Sequence, residues 1–311
     1  MKILAWLSFT ACGMGLFLSG CGGGSGTGAP VVPAVSPLAG NWLIVGPMPT
    51  NVSTPQGVSG FSLAMSFDVT GNNIVAGSFG SGPCAPPSTP PIVNGSFDFV
   101  TASNGTIAPD GSFTVQSPDN VPGDSLLIQG KVPQVHGDQF SGNYTASFTS
   151  PAPSHFAGEP CTVSYSGMFT ATSFPLVSGV YAGTGSTQTI TNGVSTVTPI
   201  EVQATLQQGG TVTNQVTGIS APSSIALTGS IHVQGFPCFT TGVTNPARSS
   251  GVKGNMVVAT FTMDDGSTLS LSGPLTDSTE AHISPVSLVV DGGKCGTPPS
   301  FVSLRQLDRQ S

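Results

Sequence analysis

The run Gly123-Asp124-Ser125-Leu126 offers Ser125 as a nucleophile, four histidines offer bases, and two acidic stretches offer cation ligands. A serine attacks only when a base is held within hydrogen-bond reach, and the residues around Ser125 supply none. His136 falls in a Gly/Asp turn, His155 in a Pro/Ser loop, and His232 and His282 in strand-like runs. None forms H-x-x-x-H or H-E-x-x-H, so no zinc-protease pattern exists. Asp264-Asp265 and the stretch Asp119-Asn120 to Asp124 carry oxygen ligands that Ca²⁺ could use. Both miss the twelve-residue EF-hand spacing, and acidic β-turns explain them. The expectation is a protein with no catalytic set, no metal and no cofactor.

The cysteines say more. Of six, Cys12 and Cys21 belong to the start of the chain, where Lys2 precedes the apolar run Ile3 to Leu18 and the small residues Ser19-Gly20. Those are the three parts of a secretory signal, and the apolar run is shorter than the about 20 residues a permanent span needs. Leu18-Ser19-Gly20-Cys21 resembles the lipobox of bacterial lipoproteins. That resemblance implies cleavage after Gly20, lipid on Cys21 and, with Gly22 following, export to the outer membrane. The membrane partner is then reached through several acyl chains, as stable anchoring requires. Residues 1–20 are read as the signal, and residues 21–37 as the lipidated cysteine and a Gly/Ser then Pro-rich tether.

Cys84, Cys161, Cys238 and Cys295 remain. Zinc would want closely spaced ligands, and there is no C-x-x-C pair or His at ligand spacing. Four cysteines in an exported chain instead suggest two disulfides, with three connectivities open. Composition narrows the partners. Seven Lys and Arg, one of them Lys2 in the leader, stand against fourteen Asp and Glu. So few cations form no basic patch, which argues against nucleic acid. Charged residues are only 7% of the chain, far below the ~25% of ordinary soluble domains. The polar surface must come from Ser, Thr, Asn and Gln.

The elements that position these residues are strands. Phe61, Leu63, Met65, Phe67 and Val69 alternate with small or polar residues, and the same period of two recurs at Val202-Ala204-Leu206 and Val257-Ala259-Phe261-Met263. Turn signals fall between such runs, as at Asp110-Gly111-Ser112 and Asp265-Gly266-Ser267. The body also repeats itself. Leu38-Ala39-Gly40-Asn41-Trp42 has a counterpart in Val177-Ser178-Gly179-Val180-Tyr181. Gly77-Ser78-Phe79 leading to Pro83-Cys84 has one in Gly229-Ser230-Ile231 leading to Pro237-Cys238. Cys84 to Asp110 is 26 residues and Cys238 to Asp265 is 27. Two related all-β domains are expected, at 38–175 and 176–311, with pairing Cys84–Cys161 and Cys238–Cys295 inside them.

About eight strand candidates per half favour an antiparallel meander closed into a barrel, with two immunoglobulin-like sandwiches as the alternative. Gly40-Asn41-Trp42 resembles the G-x-W of lipocalin-like domains, which implies that Trp42 plugs one barrel end. The family's Arg over that Trp would be matched in the second half by Arg305, over Tyr181. Gly123-Asp124-Ser125-Leu126 resembles the signature of GDSL hydrolases. That family needs a later Asp-x-x-His, and Asp277 with His282 has different spacing. The functional expectation is a lipid-anchored envelope protein with a non-enzymatic binding or structural role, meeting envelope proteins through loops. The alternative is a carrier of an apolar small molecule, with Trp42, Phe61, Leu63, Met65 and Phe67 lining the interior. A GDSL-type esterase is the remote third reading.

Overall fold

Alternating apolar residues dictate strands, and the computed structural model describes strands throughout residues 36–46, 62–84, 93–117, 125–150, 161–191, 194–213, 220–245, 250–278, 282–293 and 296–310. The first eight are β1 (Gly40–Val45), β2 (Ser62–Thr70), β3 (Asn73–Cys84), β4 (Val93–Ile107), β5 (Ser112–Gln116), β6 (Ser125–Lys131), β7 (Phe140–Ser150) and β8 (Cys161–Phe174). They pair antiparallel in chain order, and β8 returns to β1 to close a barrel.

The second half supplies β9 (Ser178–Thr191), β10 (Val194–Gln208), β11 (Thr211–Thr213), β12 (Ser220–Pro222), β13 (Leu227–Gln234), β14 (Thr241–Thr244), β15 (Gly251–Lys253), β16 (Met256–Met263), β17 (Thr268–Pro274), β18 (Val286–Gly292), β19 (Gly296–Leu304) and β20 (Asp308–Arg309). Here the ring runs β9-β10-β13-β14-β16-β17-β18-β19 and closes where β19 meets β9 at Ser303 and Ser186. β15 lies beside β16, and β11 pairs with β12 apart from the ring. Each sheet closes on itself, which removes its edges and excludes the sandwich. Pro175, Leu176 and Val177 join the two barrels, which belong to one compact unit from Val35 to Ser311.

Period two sorts the side chains. In β2, Leu63, Met65 and Phe67 point inward and are fully buried; in β10, Val202, Ala204 and Leu206 do the same. Outward positions of β10 carry Glu201, Gln203 and Thr205, all exposed. An apolar interior under a polar outer wall is the reverse of a membrane-spanning barrel. Among the described residues no helix is long and apolar enough to cross a membrane.

The repeat is visible in the backbone. Gly40 and Gly179 open their barrels at φ 123° and 126°, a region that glycine alone adopts without strain. Leu38 and Val177 are buried two residues before them, and Trp42 and Tyr181 are buried two residues after. The two Asp-Gly-Ser turns are also alike. Ser112 donates its N–H and Oγ–H to Asp110 Oδ1, at 3.0 and 2.6 Å. Ser267 repeats both bonds to Asp265 Oδ1, at 2.9 and 2.6 Å.

Their place in the strand order differs, however. Asp110-Gly111-Ser112 joins the fourth and fifth ring positions, whereas Asp265-Gly266-Ser267 joins the fifth and sixth. The nearly equal spacing hides this, because one long strand (β4) in the first barrel occupies the length that makes β14, β15 and β16 in the second. A second correction concerns the closing arginine. Leu304 pairs with Gly185, yet Asp308 pairs with Ala182, so the last strand carries one extra residue against β9. This bulge sets Arg309 rather than Asp308 opposite Tyr181, and Arg305, four residues earlier, is exposed on the surface.

All three tyrosines of the chain are buried: Tyr144, Tyr165 and Tyr181. Burial pushes each phenol upward, Tyr165 to about 12 with Tyr144 adding to the effect. A neutral phenol favoured by the folded state adds stability that is full below the unfolded value of about 10 and lost as pH rises through the folded one. Absorbance titration of tyrosinate should therefore show no ordinary step near pH 10. Stability in urea should fall between about pH 10 and pH 12. A normal three-tyrosine step at pH 10 would contradict the packing of both barrels.

Candidate functional site

Three places bring polar groups together: the end of the first barrel, the contact between the barrels, and one outer wall of the second. At the first, Trp42 is fully buried and donates its indole N–H to Leu38 O at 2.8 Å. Phe140 meets it edge-on with ring centres 4.8 Å apart, and His136 at 6.5 Å. The exposed His136 thus lies over the buried Trp42. Leu63, Met65 and Phe67 belong with Trp42 to one cluster of buried side chains that includes Phe113, Tyr144 and Phe169. Phe61 lies outside the described residues. Ser78 Oγ and Ser103 Oγ are buried in the same barrel without a hydrogen-bond partner. Their pairing sets them inward, since Ser78 is opposite Met65 and Ser103 is opposite Ala76.

The contact between the barrels is built around two amides 167 residues apart. Asn41 Nδ2 donates to Gln208 Oε1 at 2.9 Å, and Gln208 Nε2 donates to Asn41 Oδ1 at 2.8 Å. Asn41 completes itself by donating to Pro175 O (3.0 Å) and accepting from Ser66 Oγ (2.7 Å). Gln208 does so by donating to Ser224 O (2.9 Å) and accepting from the Val177 N–H (3.0 Å). Each amide offers two donors and two acceptor sites, and all eight are used. Asn41, Ser66 and Gln208 are buried, so the pair is a fully satisfied network, the kind that specifies one arrangement.

Around it the second barrel presses its β15–β16 turn onto β1 and β2. Gly254 donates its N–H to Ser66 Oγ at 2.8 Å. Its backbone sits where a Cβ would collide with the backbone of Trp42, Met65 and Ala64. The Ser224 N–H reaches Asp68 Oδ2 at 3.1 Å. Ala64 and Ser66 point outward from their own barrel and are buried by the other. Sequence reasoning placed Asn41 in the opening motif but gave Gln208, Ser224 and Gly254 no role.

The third place is a hollow of about 720 Å³ on the outer wall of the second barrel, lined by side chains of β9, β10, β13 and the β19–β20 bend. Asp308 stands at its edge, where Gln306 Nε2 donates to its two oxygens (2.9 and 3.0 Å) and His282 Nδ1 lies 2.7 Å from Oδ1. The Gln306 bond, with His282 helping, holds the Asp308 carboxyl below the usual carboxylate range.

The remaining candidates are dispersed. Ser125 opens β6 opposite Ser147. His136 lies beyond the far end of that strand, roughly 20 Å along it, and His232 and His282 are in the second barrel. Gly123, Asp124, Asp119, Asn120 and His155 lie outside the described residues. Asp264 accepts hydrogen bonds from both the backbone and the hydroxyls of Thr240 and Thr241, and Asp265 caps its turn. Among the described residues no three His, Cys, Asp or Glu groups gather as a metal ligand set. Cys238 is disulfide-bonded. Cys84 ends β3 and Cys161 opens β8, while Cys295 and Cys21 lie outside the described residues. No protein-family model, curated protein or solved structure matches this chain.

Proposed function

We propose that this protein is a lipid-anchored cell-envelope protein with a non-enzymatic binding or structural role, held through Cys21 and exported to the outer membrane. The observation that carries the reading is the Asn41–Gln208 lock. It joins two closed barrels into one body with polar outer walls, suited to presenting a surface at the end of a tether. The tether and anchor rest on Leu18-Ser19-Gly20-Cys21 and the Gly/Ser run that follows it. Disulfides Cys84–Cys161 and Cys238–Cys295 would staple each barrel separately. The runner-up, a carrier of an apolar small molecule, is favoured by the inward hydroxyls of Ser78 and Ser103. A buried hydroxyl without a partner costs about 1–3 kcal/mol, which a polar atom of a bound molecule would relieve.

One mass-spectrometric experiment on protein purified from membranes addresses these points. The intact mass should carry acyl groups at Cys21, and Cys21→Ser should release the protein into the soluble fraction. Continued membrane attachment of that variant, with no acyl group found, would overturn the anchor. Digestion without reduction should give the two within-barrel disulfides. A native mass above the denatured mass, with an apolar molecule recovered by solvent extraction, would promote the carrier over the binding module.

A further inference from the structure

The hollow on the second barrel has a composition that selects a ligand. Pairing across the wall sets two parallel rows of outward side chains. One runs Asp308, Ala182, Gln203, His232 and Thr241, each directly opposite the next on the neighbouring strand. The other runs Thr184, Glu201 and Gln234, with Arg305 and Gln306 closing one side. Ala182 is the small residue between Asp308 and Gln203 in the first row, and the longer side chains on either side of it make the wall concave there. Gln203 and His232 also line a second hollow of about 380 Å³ over Thr205, Ser230 and Thr241. The two, sharing Gln203 and His232, form one trough across six strands, β20, β9, β10, β13, β14 and β16.

Each class of ligand can be weighed against this lining. Among the described residues Arg305 is the one Lys or Arg that lines the first hollow, against the two carboxylates of Glu201 and Asp308, so a phosphate chain meets net repulsion. Among the described residues Ala182 is the one apolar side chain facing the first hollow, since Val202 points into the barrel, too little for an acyl chain. What it offers is three amides, Gln203, Gln234 and Gln306, each presenting donors and acceptors together, with the hydroxyl of Thr184 beside them. Carboxylates that only accept and a guanidinium that only donates stand between them. A sugar hydroxyl both donates and accepts, and vicinal hydroxyls match an amide or carboxylate held in place. Neighbouring strands are about 4.8 Å apart, so successive groups along a row are spaced about one sugar ring apart. Several are already held: Asp308 by Gln306 and His282, and the side-chain nitrogens of Gln234 and His232 lie 3.4 Å apart. Groups fixed before binding lose less freedom when a ligand arrives.

We infer that this trough is a binding site for an uncharged or weakly charged glycan chain, lying across β13, β10, β9 and β20. The inference deepens the binding-module reading and rests on it. Calorimetric titration of the purified protein with N-acetylglucosamine hexamer, cellohexaose and maltohexaose should give saturable heat with at least one of them. Inorganic tripolyphosphate should give none. The double variant Gln203→Ala/Gln306→Ala removes two exposed amides and should weaken binding by about tenfold or more, with an unchanged melting temperature. Ser287→Ala on β18, outside the trough, should leave binding as it is. Absence of heat with all three oligosaccharides, or binding unaltered by the double variant, would overturn the site. Neither result touches the lipid anchor, which stands or falls on Cys21→Ser.

Discussion

Gln208→Leu is expected to destabilise the protein by about 3 kcal/mol and to split its unfolding into two transitions. The leucine fills the space but leaves the Val177 N–H without its acceptor and Ser224 O without its donor. It also leaves one donor and one acceptor site of Asn41 facing an apolar side chain. Each buried group left unsatisfied costs about 1–3 kcal/mol, whereas replacing both partners of a hydrogen bond can be nearly neutral. Asn41→Leu should be comparably damaging. The double variant should be less damaging than the two singles added together, with a coupling of about 1–3 kcal/mol. Urea unfolding followed by tryptophan and by far-ultraviolet circular dichroism would measure all three. Trp42 reports on the first barrel, so in the variants its transition should separate from the overall loss of strand. Strictly additive costs, or coincident transitions throughout, would mean that the amide pair does not hold the barrels together.

What could be read from the residues follows from the range of each interaction. β2, β10 and β16 were legible because their pattern is local: every second residue is apolar, and each pairs with a neighbour close in sequence. The paired openers were legible because Gly40 and Gly179 are both set by the same backbone demand. The lock was not legible, because Asn41 and Gln208 are two amides in a Ser/Thr/Asn/Gln-rich chain and nothing local marks them as partners. Ala64 and Ser66 show the same limit. Their alternation assigns them to an outer face, and only the second barrel makes that face an interior. The closing arginine failed for a subtler reason. Arg305 directly follows Leu304, whereas Tyr181 is faced from the short strand beyond the bend, where a single extra residue sets Arg309 rather than Asp308 opposite it; neither the bend nor the bulge leaves a signature in the hydrophobic pattern. The trough is a surface property of register, since its rows join residues from strands more than 100 positions apart.

Gly254→Ala is the sharper test of how closely the barrels are fitted. Gly254 sits at φ 58°, where an alanine loses about 1–2 kcal/mol from strain alone. The added methyl would also meet backbone atoms of Trp42, Met65 and Ala64, and backbone in a closed barrel cannot rotate out of the way as a side chain can. The β15–β16 turn would have to lift, which also breaks the Gly254 N–H bond to Ser66 Oγ and exposes the Ser66–Asn41 end of the lock. A total loss of about 3–4 kcal/mol is expected, the range of the larger core substitutions. Gly266→Ala supplies the control: its φ is 84°, and no atom lies within 4 Å of the position its Cβ would take. It should cost about 1–2 kcal/mol, the strain term alone. The difference between the two variants isolates the close approach of one barrel to the other. If they cost the same, the turn is not seated on β1 and β2. If Gly254→Ala alone uncouples the transitions as Gln208→Leu does, the turn and the amide pair act as one joint. A joint made of a turn without a side chain and a fully paired polar network leaves little slack. That lets a ligand or partner bound on the second barrel find its surface in a fixed relation to the first.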